Sequence, residues 1–161
     1  MSLSGVVLAL DPGTANLGYA LMRVPEQYLL AAGAVRLCAS DASYTQIAQS
    51  ACVFLQQLHA ASPFDAVVVE VQLREHMIAV MQSVICWCVL RGVPCDVISA
   101  ATWRHRAGVR ATGNYERNKA AAARQVRDFY AYAAGSSHEA EAILMAVGAC
   151  SEFSLRTGQT P

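Results

Sequence analysis

Charge is scarce in this chain. Asp, Glu, Lys and Arg make up 15% of its 161 residues, and Lys119 is the only lysine among 12 cations. Set against 55% apolar residues, that scarcity excludes a disordered chain. Long apolar runs are missing too: polar or charged residues interrupt each one before the roughly 18 residues of a membrane span. No positive residue precedes the short apolar run in MSLSGVVLALDPG, so no secretory signal is expected and the protein is expected to be soluble and intracellular. No two of the six cysteines (Cys38, Cys52, Cys86, Cys88, Cys95, Cys150) have Cys-x-x-Cys spacing. They read as reduced thiols filling apolar positions rather than as a zinc site. No repeat, low-complexity tract or linker divides the sequence. At about 100–200 residues per domain this is one domain, with room for one core and none for a separate cofactor lobe. We expect a domain over residues 1–155 and a short tail over 156–161.

Net charge is zero, with 12 cations against 12 acids, but its distribution is uneven. Between residues 101 and 127 stand Arg104, Arg106, Arg110, Arg117, Lys119, Arg124 and Arg127, with Glu116 the only acid. A local basic block on a neutral protein points to an anionic partner, nucleic acid first. A solvated helix face is the plainer alternative.

The hydrophobic pattern predicts the elements. GVVLALD (5–11) reads as a buried strand, broken by Pro12-Gly13. Patterns at 17–23 and 28–38 complete an antiparallel meander. Ser40–Ser43 opens a helix through about residue 60, with Ile47, Ala51, Phe54 and Leu58 on one face. DAVVVE (65–70) is a fourth strand, 74–91 a helix and 93–99 a fifth strand. Helices over about 115–133 and 137–152 follow. The order βββαβαβαα predicts an α/β fold, a mixed five-stranded sheet covered by helices on both faces.

Two carboxylates stand where strands end. Asp11 closes the first strand and Glu70 the fourth. A charge at a core edge is costly without a partner, and two in one sheet can converge on a cation. Each alone also reads as a solvent-facing strand terminus. The last helix opens on Ser136-Ser137-His138-Glu139-Ala140-Glu141. Ser136 and Glu139 have capping-box spacing, which explains Glu139 structurally. His138 and Glu141 are three apart and share the helix face that continues into Leu144, Met145 and Gly148, so they point inward. Asp11, Glu70 and Glu141 offer hard oxygens and His138 a nitrogen, a set suited to Mg²⁺ or Mn²⁺.

These residues resemble a known family. LALDPGTANLGYAL looks like the first motif of RuvC-type Holliday junction resolvases, VVVEVQ like the second and HEAEAILMA like the third. QLREHMIAVMQSVICWCVLRG is similar to the poxvirus, iridovirus and phage branch, and TGNYERNKAAA to the basic stretch ahead of the third motif. The resemblance covers nearly the whole chain. One departure is Glu141, where the family commonly has Asp. The resemblance implies a ribonuclease H-like nuclease domain and a homodimer that cuts four-way DNA junctions with symmetric nicks. It further implies two divalent ions held by Asp11, Glu70, His138 and Glu141, and work at the site of viral or organellar DNA processing or in the cytoplasm.

Other residues are assigned roles on this basis. Lys119 is expected either to reach the scissile phosphate as a catalytic group or to snorkel off an apolar face. Arg104, Arg106, Arg110, Arg117 and Arg124 are expected on backbone phosphates, with Gln72 and Arg74 near the junction centre. Trp103 reads as packing rather than base stacking. Helix 76–91 is apolar nearly all round, so a second subunit is expected on its outer side, where Val80 and Val84 are placed; burial under the 115–152 helices is the alternative. Other functional readings remain open: a ribonuclease H-like nuclease for RNA–DNA hybrids or flaps, or a non-catalytic DNA-structure-binding protein. A sugar-kinase or actin-like ATPase needs two such lobes, and this chain supplies one.

Overall fold

A computed structural model describes residues 5–110 and 112–156. Five strands form one sheet in the order β3-β2-β1-β4-β5. β1 (Gly5–Asp11), β2 (Leu17–Val24) and β3 (Tyr28–Val35) make the antiparallel meander. β4 (Ala66–Glu70) and β5 (Cys95–Ile98) extend it in parallel with β1. Helices α1 (Tyr44–Ala61) and α2 (Glu75–Arg91) cover one face; α3 (Ala100–Arg106), α4 (Tyr115–Tyr130) and α5 (Ser137–Arg156) cover the other. The expected mixed five-stranded sheet with helices on both faces is therefore present. The tail expected over 156–161 lies outside the described residues, apart from Arg156, which ends α5. Among the described residues no helix is long and apolar enough to cross a membrane.

Period-two alternation in β1 explains the layering. Leu8 and Leu10 enter the core shared with Ile47, Leu55, Val80 and Trp87. Val7 and Ala9 enter the opposite core, beneath Ala140, Ile143 and Leu144 of α5. Small residues on that second face let α5 lie close. A Cβ added at Gly18 of β2 would stand 2.2 Å from the His138 carbonyl oxygen, so only glycine fits there. That approach seats the start of α5 beside the end of β1.

Local chemistry sets the helix starts. Ser43 and Gln46 form a reciprocal capping box at α1. Asn114 caps α4, accepting the Arg117 N–H at 3.0 Å, and Ser136 accepts the Glu139 N–H at 3.2 Å at the start of α5. α2 stops at Gly92, which takes the left-handed conformation at φ 66°.

Several details differ from the sequence-based expectation, and α5 continues to Arg156 rather than 152. α3 was not expected; it is a seven-residue helix started by Ser99, whose hydroxyl accepts the Thr102 N–H at 3.1 Å. α4 ends at Tyr130 rather than 133, because Ala131 turns left-handed at φ 49°. β3 ends at Val35 rather than 38, since the Leu37 and Cys38 N–H groups turn to the Thr14 carbonyl. Val80 and Val84 do not face outward: both are buried against α1 and the sheet. The outer face of α2 is instead Ile78, Gln82, Cys86, Val89 and Leu90, all exposed. α4 and α5 lie across the sheet and cannot cover it.

Candidate active site

Parallel pairing of β1 with β4 brings Asp11 and Glu70 to the same edge of the sheet. α5 crosses above them and adds His138 and Glu141. Asp11, His138 and Glu141 each present a ligand atom within 4.8 Å of the others. Glu70 stands outside that tight group but lines the same cavity of about 460 Å³, as do Gln72, Arg74 and Arg104. The donor set, carboxylate oxygens and one imidazole nitrogen, fits a hard divalent cation.

Each acid has a defined partner. His138 Nδ1 lies 2.7 Å from Asp11 Oδ2. Arg104 donates to Glu141 Oε1 at 3.1 Å. The indole N–H of Trp103 donates to Glu70 Oε2 at 2.6 Å, and the Trp103 side chain is wholly buried. Trp103 does pack, but it also fixes a carboxylate, a role not evident from the sequence. The signal available was the Ser99-x-x-Thr102 helix start, which places Trp103 and Arg104 on a short helix under β4 and α5. Tyr115 was missed as well. It lines the cavity, and its ring lies 4.3 Å from Lys119 Nζ.

Glu139 is buried yet does not line the cavity. Its carboxylate accepts the Tyr132 hydroxyl and, at 2.6 Å, the Gly135 N–H. Lys119 sits half-buried at the rim, close enough to Glu141 for each to influence the other's charge. The remaining cations lie apart from the cavity. Arg110, Arg117 and Arg124 are exposed, and Arg106 is half-buried against Gly148 of α5. Arg104 is the basic residue that differs most from the expectation of a free phosphate contact, being paired within the carboxylate cluster.

Crowded acids shift one another's protonation. Burial first, then the Asp11 charge, push the Glu70 carboxyl up to about 7, against the opposing hydrogen bond from Trp103. Burial and Asp11 raise Glu141 too, while Arg104 and Lys119 pull it back. The hydrogen bond to Asp11 raises His138, with burial opposing. Partial burial disfavours charge on Lys119, but the Tyr115 hydrogen bond and nearby acids leave its pKa raised.

Glu70 makes stability depend on pH in a definite direction. The folded protein retains a proton on Glu70 that the unfolded chain releases near its ordinary 4.5. The contribution is therefore fully present below about 4.5 and is lost as pH rises through about 7. At about 1.4 kcal/mol per pKa unit, the loss is at most about 3 kcal/mol. Glu70→Gln keeps the acceptor for Trp103 without the charge. Urea unfolding in EDTA should give similar stability for the two proteins near pH 4, with the variant about 3 kcal/mol more stable at pH 8. A gap that does not open with pH would show that Glu70 is not ionising under strain.

No protein-family model matches the sequence, and no curated protein matches it. Solved structures do. Thermus thermophilus RuvC in complex with a Holliday junction substrate is similar over 95% of this chain and 96% of its own, with a TM-score of 0.73 and 20% identity. The yeast mitochondrial Holliday junction resolvase Ydc2 is similar over 94% of this chain and 81% of its own, with a TM-score of 0.64 and 12% identity. Fowlpox virus resolvase, in complex with its Holliday junction DNA, covers 91% of this chain and 99% of its own, with a TM-score of 0.62 and 12% identity. The strand order, the helices on both sheet faces and these likenesses over nearly the full length give this chain the ribonuclease H-like fold in the form found in RuvC-like resolvases.

Proposed function

We propose that this protein is a structure-specific DNA endonuclease that resolves four-way junctions by paired, symmetric phosphodiester hydrolysis as a homodimer. The observation behind the reading is the convergence of Asp11, His138 and Glu141 within 4.8 Å, with Glu70 on the same cavity, in a fold whose similar structures are Holliday junction resolvases. Asp11, Glu70, His138 and Glu141 would hold two divalent ions, Mg²⁺ with Mn²⁺ as substitute. Bound there, the ions supply activation of water and stabilisation of the leaving 3′-oxygen during in-line attack on phosphorus.

The chain's own residues do the rest. Trp103 keeps Glu70 aimed at the cavity. Gln72 and Arg74 lie on the cavity wall, where the scissile strand would enter. Lys119, which stands beside Tyr115 at the rim, would reach the scissile phosphate. Arg106, Arg110, Arg117 and Arg124 belong to the basic surface that holds backbone phosphates; such contacts fix register without reading sequence. The nuclease domain spans residues 1–155.

The test is cleavage of a labelled immobile four-way junction, an RNA–DNA hybrid, a flap and a linear duplex with Mg²⁺. Paired nicks at symmetric positions of the junction are expected, with the other substrates cut far more slowly. Glu70→Gln should lose more than about 100-fold in nicking, since even a residue supporting a metal ligand is worth about 10–100-fold, and it should still bind the junction. Preferential cutting of the hybrid or flap would replace this reading with the other nuclease class. Junction binding without any cleavage would leave a DNA-structure-binding protein.

Two symmetric cuts suit a two-fold dimer, and the uncovered outer face of α2 is the surface for it. Val89 and Leu90 are 72% and 84% exposed there. Wild type should sediment as a dimer at micromolar concentration, and Val89→Glu as a folded monomer. A wild-type monomer would overturn the interface.

A further inference from the structure

Arg104 is the cation nearest the candidate metal ligands from outside α5, and its surroundings are particular. Its guanidinium lies 3.1 Å from Glu141 Oε1. It also lies 4.8 Å from the centre of the Trp103 ring, which the bond to Glu70 holds in place. The side chain keeps 18% of its exposure and lines the cavity together with Gln72 and Arg74. It can therefore leave Glu141 for a second anion in the cavity without moving the helix that bears it.

Charge decides which partner Glu141 keeps. A carboxylate already paired with a guanidinium is a poorer ligand for a divalent cation, and two cations at one carboxylate repel each other. A phosphate is a bidentate partner that a guanidinium prefers to a single carboxylate oxygen. We propose that Arg104 competes with the divalent cation for Glu141 and yields it when a DNA backbone phosphate takes the guanidinium, so that DNA and metal each tighten the binding of the other. The inference rests on the metal site and DNA substrate proposed above. It makes Arg104 a positioning residue that acts through Glu141 and delays assembly of the full ligand set until DNA is present. The reciprocity is a thermodynamic necessity of any such competition.

The test measures Mn²⁺ affinity, from the free-ion paramagnetic resonance signal, without DNA and without turnover. Arg104→Gln removes the charge and should bind Mn²⁺ about 5-fold more tightly than wild type. Arg104→Lys keeps the charge and should stay close to wild type. A misfolded variant cannot gain affinity, so the expected result does not arise from damage. A second arm places both proteins in a Glu70→Gln background, where a four-way junction stays intact. Adding the junction should tighten Mn²⁺ binding about 5-fold when Arg104 is present and much less when it is Gln. Equal or weaker Mn²⁺ binding by Arg104→Gln, with wild type binding normally, overturns the competition alone. An Arg104→Lys variant as tight as Arg104→Gln also overturns it. If neither wild type nor Arg104→Gln binds Mn²⁺ at millimolar concentration, the metal site itself falls, and this inference with it.

Discussion

Three carboxylates held together against their mutual repulsion are the constraint around which this structure is arranged. Asp11 and Glu141 are 7% exposed, and Glu70 is pushed up to about 7 by its burial and by Asp11. Such a cluster costs stability unless cations offset it. The protein sets the His138 ring against Asp11 as a hydrogen-bond partner and the Arg104 cation against Glu141, with Lys119 near the rim. In the proposed function the remaining negative charge serves to hold divalent cations, and strain in the fold becomes affinity for metal.

Holding the cluster takes parts from the whole chain. The parallel β1–β4 pairing aligns two strand ends. Glycine at position 18 and the small Ala9 and Ala20 let α5 approach until its first turn hangs over Asp11. α3 underlies both sides, since adjacent residues of one short helix bond Glu70 on β4 and Glu141 on α5. A change in the length or capping of that helix would move two acids at once. Glu141 is one methylene longer than the Asp common in the resembled family, and here it extends to a guanidinium on a neighbouring helix.

The sheet, its mixed pairing and the placement of Asp11, Glu70, His138 and Glu141 were legible because each lies on a strongly periodic element. β1 alternates for both faces, and α5 carries its inward stripe without interruption. The capping spacing of Ser136 and Glu139 pointed to a structural role for Glu139, and its carboxylate bonds Tyr132 and Gly135 without lining the cavity. What stayed hidden depends on tertiary contact. A seven-residue helix is too short to show periodicity. Nothing local says that the Trp103 N–H meets a carboxylate 33 positions away. The orientation of α2 was misread because a helix apolar all round gives no moment to orient it; Val80 and Val84 face the core while Val89 and Leu90 face out.

In the proposed function the converged side chains form a divalent-cation site. Crystals of the protein grown with Mn²⁺ test it most directly, through anomalous scattering from the bound ion. At saturating Mn²⁺, peaks are expected among Asp11, Glu70, His138 and Glu141, with the direct His138–Asp11 contact opened. Mn²⁺ bound elsewhere, or no ion at saturating concentration with that 2.7 Å contact intact, would contradict it.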